Sequence, residues 1–219
     1  MLDLIKRNRP LLLPVIIGIT SLLWLERFIN PSISVSIFEQ YPMPLYNLVL
    51  KIPVHTPFLL TSTALLLLLI QGFTLNQLNA RFRLIEEGTY LPGFIYLLTV
   101  SSIQETLQIN PLLLANFCLL FSFYIFFPTF RIDKFIDPFF KGAFLISLGS
   151  LFYFPLIFMS LALFYFLIST RSFYWREWVV AVIGLITPYL IAFSVYYVLD
   201  STNLIIEAKD HQLFSPVNI

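Results

Sequence analysis

The side chains able to do acid–base or phosphate chemistry are few, and they gather at the ends of apolar runs. Toward one side of those runs lie Glu26-Arg27, Glu39, Lys51, His55 and Gln104-Glu105-Thr106. An acid with a cation within about 6 Å could act as a base while the cation neutralises a phosphate. On that chemistry Glu26 and Glu39 are the candidate catalytic acids. Arg27, Lys51, His55 and Glu105 are the candidate substrate contacts. Each also has a plainer reading. An acid beside an arginine at a helix end is commonly a solvated pair of small energetic weight. Glu105 lies between two apolar spans with no cation near it in sequence, and can simply reach water. His55 has no second ligand at metal spacing, so neither a zinc site nor any other cofactor is expected.

On the opposite side, Arg81 and Arg83 face Glu86 and Glu87 at spacings that pair them on a helix. Arg131, Asp133, Lys134 and Asp137 form a similar mixed-sign cluster, the kind of solvated face that attracts anionic lipid. The sequence contains no GxGxxG, Walker loop, HExxH, GxSxG or CxxC. The single cysteine, Cys118, sits in an apolar run and reads as a small packing residue. Asn116 reads as interhelical glue. The middle of every apolar span is free of acids and bases, where a charge would cost about 2.5–3.5 kcal/mol. That disfavours an ion-coupled pump or a proton relay, and without an internal repeat a secondary transporter fits poorly.

The elements that must position these residues are read from composition. The 219 residues are 58% hydrophobic, 17% aromatic and 11% charged, with a mean hydropathy of +0.86. A soluble domain carries about a quarter charged residues, and a globule this poor in charge would leave its surface greasy. The net charge of +1 offers no basic field for a nucleic acid. Soluble enzyme, disordered tail and nucleic-acid binder are all poor readings of such a chain. The expectation is an all-α, polytopic membrane helix bundle forming a single transmembrane domain over 1–219.

A crossing helix needs about 20 residues. Apolar runs at 10–28, 57–73, 90–103, 111–127, 139–150, 151–168 and 178–199 predict about seven spans. Pro10, Pro57, Pro111 and Pro138 open runs, where a proline costs a helix little. Pro14, Pro92, Pro155 and Pro188 fall inside runs and predict kinks. The first run follows Lys6, Arg7 and Arg9 but lacks a small-residue cleavage site, so it reads as a retained span. With the N-terminus in the cytoplasm, ten of the thirteen Lys and Arg fall inside, leaving Arg27, Lys51 and Lys209 outside. Fusing 139–168 into one helix would exceed one crossing and move Arg171 and Arg176 outside. A turn at Leu148-Gly149-Ser150 is therefore expected.

The long first outer segment, 31–53, is itself apolar. From Leu45 onward Leu45, Tyr46, Leu48, Val49 and Ile52 recur with a helical period, predicting an amphipathic helix at the headgroup level or across the mouth of the bundle. The tail 201–219 reads as periplasmic, an outer segment with no obvious terminator.

Three stretches carry a likeness. "MLDLIKRNRPLLLPVIIGITSLLWLERFINP", "NPLLLANFCLLFSFYIFF" with the following "RIDKFIDPFFKGAFLISLGSLFYFPLIFMSLALFYFLI", and "REWVVAVIGLITPYLIAFSVYYVLD" resemble a family of multipass inner-membrane proteins of Bacteroidota. The resemblance implies an inner-membrane location and no particular activity, in a family whose members tend to run longer. In architecture the chain also resembles the core of the polyprenyl-phosphate-sugar-dependent glycosyltransferases (the GT-C superfamily). There an acid in the first outer loop acts near the acceptor and basic residues hold a lipid-linked phosphate. By position, that resemblance implies Glu26 or Glu39 as the acid and Arg27, Lys51 and His55 as phosphate contacts. The aspartate typical of those enzymes is absent from 31–53. The function expected on this likeness is a glycosyltransferase-like role in envelope polysaccharide or glycolipid assembly, with membrane lipids and a polyprenyl-linked sugar as partners. The alternative is a non-catalytic membrane subunit or scaffold of an envelope or secretion complex, packed against other membrane proteins.

Overall fold

The computed structural model describes residues 12–29, 42–51, 56–82, 85, 90–103, 109–128, 137–170 and 175–199. Every regular element among them is helical. In chain order these are α1 (Leu12–Leu23), α2 (Leu25–Ile29), α3 (Pro44–Leu50), α4 (Pro57–Phe82) and α5 (Leu91–Ser101). They are followed by α6 (Pro111–Phe126), α7 (Asp137–Ser150), a 3₁₀ turn (Phe154–Phe158), α8 (Met159–Thr170) and α9 (Trp175–Val198). Each of the seven apolar runs contains a helix. The contacts divide the chain into two compact units, Met1–Val35 with Pro53–Leu113, and Ser36–Ile52 with Leu114–Ile219.

Proline sets several starts. Pro57 and Pro111 are the first residues of α4 and α6, and Pro138 is the second of α7. Pro92 and Pro155, expected to kink spans from within, instead occupy the first turns of α5 and of the 3₁₀ turn. There their missing N–H has no intrahelical partner to lose. Pro188 does lie inside α9. Helix α4 continues nine residues past the expected end at 73, to Phe82.

In the first unit α1, α4 and α5 alternate in direction. Phe28, just after α1, meets Phe58 at the start of α4, with ring centroids 5.4 Å apart. Gly72 meets Leu97, and Asn76 meets Gly93, so α4 and α5 are antiparallel. The approach is close. A Cβ on Gly72 would lie 2.8 Å from Leu97 Cγ, and one on Gly93 would overlap the Gly72 carbonyl oxygen and the Asn76 amide. Small residues at such crossings let backbones touch. Ile16, Trp24, Ala64, Leu68, Leu97 and Leu113 form the core.

The second unit is an up-and-down arrangement of α6 to α9. Ala115 and Cys118 flank Gly149, Ser122 bonds to the Gly142 carbonyl, and Phe126 meets Phe139, so α6 and α7 are antiparallel. The chain then turns at 151–153, not at Leu148-Gly149-Ser150. Gly149 stays helical, and close packing against Leu156 and Cys118 uses its missing side chain. On α8, Phe164 stacks on Trp178 near the start of α9, at 5.4 Å. Helices α7 and α9 run parallel: Phe140 and Ala143 meet Gly184, and Ser150 meets Tyr189. The expected separation of 139–150 from 151–168 is thus present.

The surface is apolar. Ile17, Leu22, Leu66, Ile95, Phe121, Leu161, Ile183 and Leu190 are all exposed. Helices α4 and α9 are long and apolar enough to cross a membrane, with only 28% and 22% of their apolar stretches buried. The core helix of a soluble protein is mostly buried, and these are not. Greasy outward faces of this length mark a membrane-associated chain.

Candidate functional site

Three of the six candidate residues lie within the described structure. Glu26 is exposed on α2 and Arg27, its neighbour, is half-buried. The short helix follows from Trp24, whose buried indole donates to Ser101 Oγ at 3.1 Å and anchors the end of α1. The Trp24 carbonyl accepts from the Arg27 and Phe28 amides at 3.1 and 3.2 Å. Lys51 ends α3 in the second unit, exposed, with its amide bonded to the Asn47 carbonyl at 3.3 Å. Glu39, His55 and Glu105 lie outside the described residues, as do the partners expected for Arg81 at Glu86 and Glu87. The Arg81 guanidinium sits 5.6 Å from the Phe82 ring centroid. From the mixed-sign cluster, Asp137 pairs with Lys141 at 3.9 Å on an exposed helix face.

Helix α3 is where sequence and structure differ most usefully. A helix forms at the expected place, and Met43 and Tyr46 are buried while Leu48 and Leu50 are exposed. Its position is fixed by three polar contacts. The Leu45 amide donates to the Leu151 carbonyl at 3.2 Å. Tyr196 Oη of α9 donates to the Pro44 carbonyl at 3.2 Å and accepts from Asn47 Nδ2 at 3.5 Å. Between α3, α7 and α9 lies a cavity of about 250 Å³, lined by Leu45, Leu48, Phe144, Leu148, Pro188 and Val195 among others. Val195 also borders a shallower hollow of about 370 Å³ that continues along α9 to Leu199. A further apolar cavity of about 170 Å³ lies under Phe123, Phe127 and Met159. None of the acids named above lines these spaces.

Polar groups inside the units hold helices together. In the first unit Gln71 Nε2 donates to the Leu113 carbonyl at 2.6 Å, and Tyr96 Oη donates to Gln71 Oε1 at 2.6 Å. Asn76 Oδ1 accepts from the Gly93 amide at 2.8 Å, and Asn110 caps α6 by accepting from the Leu113 amide at 2.7 Å. In the second unit Ser147 Oγ donates to the Leu185 carbonyl at 2.5 Å. That contact adjoins the Gly184 carbonyl, which Pro188 leaves without its helical donor. Ser150 and Tyr189 share a bond at 2.6 Å. Asn116, the expected glue, is half-buried on α6.

These residues were not among the candidates, although Gln71, Asn76 and Asn79 fall on one face of α4 with Thr61, Ala64 and Leu68. That polar stripe within an otherwise apolar run was the available signal. Glu177, also unflagged, is a buried acid in the first turn of α9, where the helix dipole favours a negative charge. No group of three His, Cys, Asp or Glu converges as a metal site among the described residues. The chain matches no family model, no curated protein and no solved structure.

Proposed function

We propose that this is an integral inner-membrane protein crossing the bilayer seven times, N-terminus in the cytoplasm and C-terminus in the periplasm. On this reading it serves envelope polysaccharide or glycolipid assembly in the manner of a glycosyltransferase that uses a polyprenyl-linked sugar. The observation that carries the proposal is alternation of direction, which runs through α1, α4 and α5 in one unit and through α6 to α9 in the other. Such alternation is what successive crossings require. The short helix α3, docked on α9 through Tyr196, supports an interfacial element in the first outer segment. Glu26 or Glu39 then acts as the acid, and Arg27, Lys51 and His55 hold the phosphate, with Glu105 a further substrate contact.

The test is complementation of a deletion strain, read by its surface glycan. Glu26→Ala and Glu39→Ala, alone and together, are expected to abolish glycan restoration at unchanged protein level. Full complementation by the double variant overturns the catalytic role. A second reading, a non-catalytic subunit, is favoured by one observation. Gln71, Asn76, Ser147 and Ser150, four buried polar groups, all bond to neighbouring helices or to their own turn. They leave no polar side chain of that set for a substrate.

A further inference from the structure

We infer that the cavity between α3, α7 and α9 holds one hydrocarbon chain of a phosphate-headed membrane lipid, with the phosphate against Lys51. The inference rests on the membrane reading above but not on the glycosyltransferase chemistry.

The lining selects a hydrocarbon. Leu45, Leu48, Phe144, Leu148, Pro188 and Val195 present carbon, and the Tyr196 hydroxyl at the edge is engaged by the Pro44 carbonyl and Asn47. A sugar or nucleotide entering here would lose its water without gaining partners. The size agrees: about 250 Å³ is below the roughly 300 Å³ where drug-sized sites begin, but suits a single chain. The cavity is reached from the bilayer side. Val195 belongs both to it and to the hollow that continues past Val198 to Leu199, and these α9 residues are exposed. A chain whose first methylenes fill the cavity would run on along the hollow.

The head is selected by charge. Lys51 follows Leu48 by three residues, with backbone angles that continue the helix (φ −75°, ψ −10°). Positions i and i+3 share a face, so Lys51 stands on the side of α3 from which Leu48 reaches the cavity. Its exposure leaves it free to meet a phosphate at the headgroup level. Apolar slot and cation thus lie one helical turn apart, the spacing of a lipid's first methylenes from its phosphate.

The test uses the purified full chain in a nonionic detergent, titrated with phosphatidylglycerol and with diacylglycerol and read by native mass spectrometry. Lys51→Gln is expected to weaken phosphatidylglycerol binding about fivefold and leave diacylglycerol binding unchanged. Ala192→Trp, which fills the cavity, is expected to weaken both. Should that variant fail to fold, Val195→Trp at the exposed mouth serves instead. Phosphatidylglycerol binding unaltered by Lys51→Gln and by the tryptophan variant overturns the inference. So does displacement of the lipid by excess inorganic phosphate, which would mean a free-anion site. Failure here with loss of glycan in the Glu26 and Glu39 variants removes the lipid site, and with it Lys51 as a phosphate contact, but leaves the acids' role. Retained lipid binding with full complementation removes the enzyme alone.

Discussion

The amide of Gln71 bonds in two directions at once, giving a hydrogen to the Leu113 carbonyl and receiving one from Tyr96. It is fully buried, so truncation strands both partners. Gln71→Leu is expected to destabilise the folded protein in bilayer nanodiscs by roughly 1–2 kcal/mol, within the range of interhelical bonds in membranes. Reversible unfolding by steric trapping would measure it. A loss of Tyr96→Phe equal to that of Gln71→Leu, with no further loss in the double variant, would show that the pair acts as one unit. The candidate site residues behave differently at this scale. Glu26 and Lys51 are exposed, and their roles depend on groups that approach from elsewhere in the chain or from outside it. Type and spacing alone carry little of that.

At the scale of elements the glycines decide which helices touch. Gly93 of α5 rests on the Gly72 carbonyl and the Asn76 amide, whereas nothing lies within 4 Å of a Cβ on Gly18 in α1. Gly93→Ala must therefore push α5 off α4 and is expected to lower stability by about 1–3 kcal/mol, as overpacking does. Gly18→Ala should be neutral or stabilise by up to about 1 kcal/mol through helix propensity. The two thermal shifts, measured side by side, check the packing with a built-in control. Much of this level was legible beforehand: each apolar run yielded a helix, and the stripe beginning at Leu45 yielded α3. The exact ends were not. Pro92 and Pro155 look internal when runs are marked by hydropathy, since Tyr90-Leu91 and Phe154 before them are just as apolar. Which face of α3 is buried depends on Tyr196, a hundred and fifty residues on, and local periodicity has no term for that.

For the molecule as a whole, the proposed seven-span topology sets out what reporters should find. Fusions after residue 29 and after residue 199 are expected to read periplasmic, and fusions near 85 and 131 cytoplasmic, in keeping with the ten-to-three bias of positive charge. Two chain ends in one compartment would break the scheme. The all-helical class was legible in the long unbroken apolar runs: a backbone in hydrocarbon must satisfy its own hydrogen bonds, and the greasy exteriors of α4 and α9 match that demand. The division into two compact units was not legible. Besides the exchange of 36–52, it falls between Leu113 and Leu114, inside an apolar helix, where no linker composition marks it.

The parallel pairing of α7 with α9 has a consequence for biosynthesis. Two parallel neighbours cannot form a hairpin; α8 must first carry the chain back. While the ribosome is still making α8, the face of α7 bearing Ala143, Ser147 and Ser150 waits without its mate. Closure of this unit is therefore a late event tied to delivery of α9, and on the proposed topology a nascent chain arrested before Trp175 would present that polar notch to the translocon or to a membrane protease.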